Sequence, residues 1–231
     1  MASHALQLPP DDADRAYANR EDLVSATRAA QLWAESYARN PQEGFDAAWK
    51  LARADYWLGG HAATADRRGF LEQGIDAARK AMARQPSRPE GHFWLAANMG
   101  ALAESAGLSA GLRYRKPVKE ELQAVLRLDP AFEQGSADRG LGRWYFRVPR
   151  LFGGSLQEAE RHLRASLTYN AHSTASHYFL ADVMLKAGRQ EEGRNELVAV
   201  LDAPLDPDWA PEDREFKEKA RKLLSTLKPP R

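Results

Sequence analysis

The sequence predicts an all-α chain, a right-handed superhelical solenoid of about four degenerate helix pairs with a capping helix at each end. Three observations predict it. Residues 174–207 form one complete helix-turn-helix unit, with Leu180, Ala181 and Met184 on the first helix, Gly188 at the turn, and Gly193, Leu197 and Val200 on the second. The unit is about 34 residues long, a length that belongs to stacked helical repeats. Looser copies of the same pattern precede it. Ala181 and Gly193 stand where two helix backbones must come close, a place that admits only small side chains.

The elements follow in order. Residues 1–20 read as a flexible N-terminal lead and residues 21–231 as a single helical repeat domain. Residues 21–39 read as an amphipathic opening helix, with Leu23, Ala26, Ala30, Trp33 and Tyr37 at helical spacing and Asn40 and Pro41 as the stop. The first unit pairs Leu51, Ala52 and Gly59 with Gly74, Ala78, Ala81 and Pro86. The second runs from Leu95, Ala96 and Met99 to Val118, Leu122, Val125 and Pro130, with an insertion over 104–116. The third runs from Leu141, Gly142 and Tyr145 to Ala159, Leu163 and Ser166, with extra residues over 148–153. Its second helix opens on Ser155 and Glu158, spaced as a capping box in which each side chain satisfies an otherwise orphaned backbone N–H. Residues 211–227 close the array, with Pro211 at the start, acids in the first turn, then Phe216, Ala220, Leu223, Leu224 and Leu227. No unit can bury its apolar face alone, so stacking supplies the core and the end helices shield its open faces.

Composition agrees. With 231 residues, 43% hydrophobic and 28% charged, the chain is long enough to bury a substantial core. A net charge of +1 gives no global reason to bind nucleic acid or an anionic membrane. No stretch approaches the roughly 18–20 apolar residues of a membrane span. There is no cysteine, hence no disulfide, thiolate metal site or lipidated cysteine in this sequence. The start, MASHA, lacks the basic and apolar regions of a signal peptide, while the polar stretch to Asp14 resembles the lead of a mature exported protein. The expected location is therefore periplasmic if an export signal precedes it and cytoplasmic otherwise.

Motifs of catalysis are missing. There is no phosphate loop, dinucleotide glycine fingerprint or paired-histidine zinc helix, and Gly153, Gly154 and Ser155 do not form a nucleophile elbow. The histidines, His4, His61, His92, His162, His172 and His177, read as satisfied surface residues rather than ligands. The sequence thus predicts a non-enzymatic chain with no cofactor and no metal.

The predicted inner surface carries more. The first helix of each unit lines the concave face of such a solenoid, so positions three before, one after, and four and five after the small crossing residue point into the groove. This selects Trp49, Arg53, Tyr56 and Trp57 in the first unit and Phe93, Ala97, Gly100 and Ala101 in the second. It selects Arg139, Arg143, Phe146 and Arg147 in the third, and Tyr178, Asp182, Leu185 and Lys186 in the fourth. Rings supply apolar contact and arginine forks hold a carboxylate or phosphate, so the expected occupant is a small amphipathic carboxylate or a peptide. The alternative is that the rings fill helix packing and the arginines form a wet stripe. The two insertions, basic and glycine-containing, are expected to cover one end of the groove, dock a partner, or only reshape the turns.

The 34-residue unit resembles the tetratricopeptide repeat. The stretch LGRWYFRVPRLFGGS at 141–155, followed by Ala159, resembles the T component of TRAP-type transporters. It is also similar to the regulator of microtubule dynamics family, which shares the LGRW helix and the long insertion after the second unit. The resemblance spans roughly 45–227, and only 141–155 is distinctive. The first likeness implies a periplasmic accessory protein whose partner is a substrate-binding subunit and which passes amphipathic ligands. The alternative is a cytosolic adaptor that takes a peptide from a partner protein; neither involves nucleic acid, and a homo-oligomer is compatible with both.

Overall fold

The computed structural model describes residues 12–105 and 107–227, with the side chains of 107–110 left out of account. Eleven α-helices make up the fold, with no strand among the described residues: α1 (Asp12–Ala18), α2 (Leu23–Arg39), α3 (Phe45–His61), α4 (Thr64–Arg84), α5 (Pro89–Ser105), α6 (Gly107–Leu128), α7 (Phe132–Arg147), α8 (Leu156–Tyr169), α9 (Thr174–Lys186), α10 (Gln190–Asp202) and α11 (Ala210–Thr226). The pairs α3–α4, α5–α6, α7–α8 and α9–α10 are the four units. Their first helices pack in succession, α3 on α5, α5 on α7 and α7 on α9.

Small residues permit this spacing. A Cβ on Gly142 would lie 2.5 Å from Leu163 and 3.1 Å from the carbonyl of Ala159, and one on Gly193 would lie 2.7 Å from Leu185. Each pair then buries its own leucines, Leu163 and Leu180 between the third and fourth units and Leu197 beneath α11. Gly188 turns the chain between α9 and α10 at φ +80°, a conformation that costs a side chain but not glycine.

Three expectations are corrected. The lead is not flexible throughout: residues 12–18 form α1, while 1–11 lie outside the described residues. Ala13 and Tyr17 stand four apart on one face and are buried against Ala26, Ala29 and Trp33 of α2, and Asp14 binds Lys50 at 2.8 Å. Two apolar residues are too short a pattern to read as a helix from sequence. The insertion at 104–116 does more than reshape a turn: its described residues are helical, ending α5 at Ser105 and opening α6 at Gly107. The helix α6 runs through Pro117, whose missing N–H leaves the carbonyl of Arg113 without its usual helical donor. The capping box is half formed. Ser155 Oγ accepts from Glu158 N at 3.2 Å, but the Glu158 carboxylate turns to Arg161, and Ser155 N donates to the Tyr145 carbonyl at 3.0 Å. Ser155→Ala should therefore lower stability by about 1 kcal/mol, a fall of about 2–4 °C in Tm for a chain of this size, whereas Glu158→Gln leaves the cap intact. Thermal melts of the two variants check this.

The start of α7 was not legible either. Glu133, Gln134 and Gly135 all take left-handed backbone, φ +46°, +57° and +75°. Such backbone costs roughly 1–2 kcal/mol for each non-glycine residue, and side-chain bonds hold it in place. Gln134 Nε2 donates to Asp206 at 2.8 Å and Asn170 donates to Gln134 Oε1, while Gly135 fits against Ser166 and Tyr169 where a Cβ would not.

The two ends of the array meet. Arg20, just after α1 and only 4% exposed, donates through Nε to Glu212 at 2.9 Å and through Nη2 to the Asp208 carbonyl at 2.8 Å. Its own carbonyl accepts from Trp57 Nε1 at 2.7 Å. Arg214 pairs with Glu21 and His61 with Glu215. On the other side of α11, Lys217 donates to the Ala203 carbonyl at 2.6 Å, and Asp213 accepts from Thr174 Oγ1 at 2.6 Å. The closing helix is thus bonded both to the last unit and to the first.

Candidate functional site: an inner cavity with one unpaired arginine

The concave faces of α3, α5, α7 and α9, the first half of α6 and the inner face of α11 line a half-open cavity of about 790 Å³. Ten of the positions selected by the groove rule line it: Tyr56, Phe93, Ala97, Gly100, Ala101, Arg139, Arg143, Arg147, Tyr178 and Asp182. The rule fails at three positions of the first unit, one of the third and two of the fourth. Trp57 is 5% exposed and packed with Ala54 and Leu58, and its indole serves the Arg20 carbonyl. Arg53 lies over the rings of Tyr17, Trp33 and Trp49, so α1 and α2 fill the groove at the first unit. Trp49 donates to Asp46 at 3.0 Å and packs against the core. Phe146 joins the core between α7, α8 and α9. Leu185 packs in the core under α11, and Lys186, at the exposed end of α9, is likewise absent from the cavity wall.

The groove rule missed Phe152, Phe179, Phe216, Arg115 and Lys219, which complete the wall; Arg115 and Phe152 belong to the two insertions expected to cover one end of the groove. Phe152 comes from a single 3-10 turn, Arg150–Phe152, and Phe216 and Lys219 from the closing helix. Five cations thus face two carboxylates, Glu104 and Asp182, against a largely aromatic and aliphatic lining.

The arginines differ in what they already hold. Arg143 is bound to Glu104 at 3.2 Å and to Asp182 at 3.3 Å, and Arg147 to Glu104 at 3.4 Å. Burial pushes the Asp182 carboxyl upward despite Arg143, and burial together with Glu104 does the same to the Tyr56 hydroxyl. Arg139 makes no ion pair among the described residues; its guanidinium meets only the Glu133 carbonyl, at 3.5 Å. Burial pulls its pKa down, with Glu133, Tyr56 and Asp213 opposing at longer range. It also forms the wall between this cavity and a smaller one of about 290 Å³ beside Asp213 and Trp209. A half-buried guanidinium with no ion pair keeps most of its N–H donors unspent, and such donors match the oxygens of an anion.

Four of the histidines, His61, His92, His162 and His177, each meet a carboxylate, whereas His172 is exposed. His92 Nδ1 meets Glu121 at 2.6 Å and Nε2 meets the Pro86 carbonyl at 2.9 Å; His177 meets Glu196 at 2.6 Å and the Ala171 carbonyl at 3.0 Å. Two acceptors per ring favour the doubly protonated imidazolium. The pKa of His92 is raised chiefly by Glu121, and that of His177 is raised because Glu196 more than offsets burial. In the third unit the types are exchanged, with Asp138 meeting His162 at 2.6 Å. His92, Asp138 and His177 each stand four residues before a crossing residue, Ala96, Gly142 or Ala181, and their partners each stand one before Leu122, Leu163 or Leu197. These pairs clasp the two helices of one unit, a structural role. No group of three His, Cys, Asp or Glu side chains able to hold a metal occurs among the described residues.

The fold is that of a tetratricopeptide-like helical-repeat protein. The model of the regulator of microtubule dynamics protein 1-3 family, RMD1-3, matches residues 10–228, and the chain belongs to that family. Among solved structures it is similar to TTC0263, a thermophilic TPR protein in Thermus thermophilus, with TM-score 0.69, 21% identity, and coverage of 91% of this chain and 96% of that one. It is also similar to MamA, with TM-score 0.53, 12% identity, and coverage of 93% and 99%. No curated protein matches the chain.

Proposed function

We propose that the chain is a non-catalytic adaptor whose inner cavity holds a small amphipathic carboxylate while its outer surface engages a protein partner. The observation that carries this reading is Arg139, a half-buried guanidinium that faces a ring-lined cavity without an ion-pair partner. A volume of about 790 Å³ lies within the roughly 300–1,000 Å³ of small-molecule sites. Because α1 and α2 fill the groove at the first unit, a compact ligand fits better than a long peptide lying along the whole array. The C-terminal carboxylate of a partner peptide offers Arg139 the same chemistry and is the second reading. The family match falls on the second of the two resemblances, so the periplasmic, transporter-associated role is set aside for an adaptor. The family name ties its members to microtubule dynamics, with which a protein-binding adaptor is compatible.

Native mass spectrometry of the gently purified chain tests the reading. An adduct of small-molecule mass, lost on denaturation and missing from Arg139→Leu, is the expected result. An adduct retained by Arg139→Leu would contradict it. Leucine keeps much of the volume and removes a desolvated charge, so the fold should not suffer.

A further inference from the structure

Where the first half of α6 meets the 3-10 turn, three large apolar side chains stand in solvent: Leu151 is 88% exposed, Leu112 45% and Phe152 40%. Apolar groups clustered this way mark surfaces that are covered in use. Around them stand Arg113, Arg115, Lys119 and Arg150, none with an ion-pair partner among the described residues, whereas the neighbouring Lys116 and Arg147 pair with Glu120 and Glu104. The chain as a whole carries only +1, so this is a local excess of positive charge.

The cations are placed by the fold. Arg115 lies 5.0 Å from the Phe152 ring centre, and Lys119 lies 4.8 Å and 4.7 Å from those of Trp144 and Tyr145. The Arg115 carbonyl accepts from Trp144 Nε1 at 2.8 Å, which fixes this part of α6 against α7. Leu112, Arg115 and Lys119 follow at helical spacing on one face of α6, a row about 10 Å long. The turn from Arg150 to Phe152 forms a wall beside it. A row with a wall accepts an elongated partner along its length; a flat bilayer surface is better met by cations spread around a projecting apolar tip.

We propose that this rim docks an acidic amphipathic helix of a protein partner. Apolar side chains on one face of that helix cover Leu112, Leu151 and Phe152, and its carboxylates pair with Arg113, Arg115, Lys119 and Arg150. The rim shares Leu112, Arg115 and Phe152 with the cavity wall, so its test rests on Arg113, Arg150 and Leu151, which lie outside that wall.

The probe is a fluorescein-labelled helical peptide of about five turns, with leucines on one face and glutamates on the other. A second peptide carries glutamine at every glutamate, and vesicles about one-third phosphatidylserine in phosphatidylcholine serve as the membrane comparison. Fluorescence anisotropy should show binding of the glutamate peptide that weakens with salt and is at least about tenfold tighter than for the glutamine peptide. The charge variant R113E/R150E and the apolar variant Leu151→Ser should each lose at least about tenfold. Both should retain the wild-type cavity adduct in native mass spectrometry, which separates failure here from failure of the cavity reading. If the charge variant does not fold, Leu151→Ser, at a side chain almost wholly in solvent, carries the test alone. Equal peptide binding by wild type and variants, no peptide binding, or vesicle binding without peptide binding would each overturn the proposal.

Discussion

Asp55→Asn should make the protein more stable above neutral pH and reduce its loss of stability as pH rises from about 4.5 to 8. Asp55 is 1% exposed on α3, and its Oδ2 has no hydrogen-bond partner. It stands three residues after Ala52, the position that Met99, Tyr145 and Met184 occupy in the other units, so a carboxyl sits where the repeat wants an apolar side chain. Burial alone pushes its pKa from 3.8 up to about 8. The folded state therefore keeps a proton that the unfolded state releases. Stability is fullest below the unfolded value and falls as pH rises towards about 8, at about 1.4 kcal/mol per pH unit and amounting to a few kcal/mol. Glu133 and Asp182, also raised by burial, act in the same sense, so the slope shrinks without vanishing. His92 and His177 lose their stabilisation in the same direction, but only as pH passes their ordinary 6.5 and then their raised folded values. The stretch between about pH 4.5 and 6 is therefore the clearest window for Asp55. Urea unfolding midpoints of wild type and Asp55→Asn across this range check the expectation; parallel curves would show that the carboxyl finds a partner or water.

Arg20→Ala should lower stability by about 3 kcal/mol and loosen the junction between the two ends of the array. Arg20 is nearly enclosed, with two donors on Glu212, one on the Asp208 carbonyl, and its guanidinium over the rings of Tyr17 and Trp57. Truncation leaves Glu212 partly buried without its cation and the Asp208 carbonyl without its donor, a loss on the scale of broken buried pairs. Arg214→Ala makes the contrast. Its pair with Glu21 is about half exposed on both sides, so its loss should be below about 1 kcal/mol. Hydrogen exchange of α1 and α11 reads the difference: faster exchange in both helices for Arg20→Ala, and a near wild-type pattern for Arg214→Ala.

The helix pairs were legible because their signals are local. Gly142, Ala181 and Gly193 mark close crossings, Leu163 and Leu197 recur at fixed offsets, and Pro211 opens the closing helix. The cavity was legible in its middle, where helix periodicity alone aims Phe93, Arg139 and Tyr178 inward. What joins distant parts of the chain was not. The bond from Arg20 to Glu212 spans 192 residues and leaves no pattern in either neighbourhood. The same closure explains why Trp57 and Arg53, sound groove positions by periodicity, are covered. Arg139, Arg143 and Arg147 look alike in sequence, and Glu104 and Asp182, each 39 residues from Arg143, set that ion-paired guanidinium apart from Arg139. The histidine clasps did leave a signal in three of the four units, a His or Asp four before the crossing residue opposite a Glu or His one before a core leucine.

A titration that compares a fluorophore-bearing alkyl carboxylic acid with its methyl ester, on wild type, Arg139→Leu and Arg143→Ala, tests the central claim most directly. If the cavity seats a carboxylate on Arg139, the acid binds wild type at least about tenfold more tightly than the ester, in line with a hydrogen bond to a charged group. Arg139→Leu then removes that preference, while Arg143→Ala, whose charge is already answered by Glu104 and Asp182, changes it little. Equal affinity for acid and ester on the wild-type protein, or a preference that survives Arg139→Leu, would contradict the account.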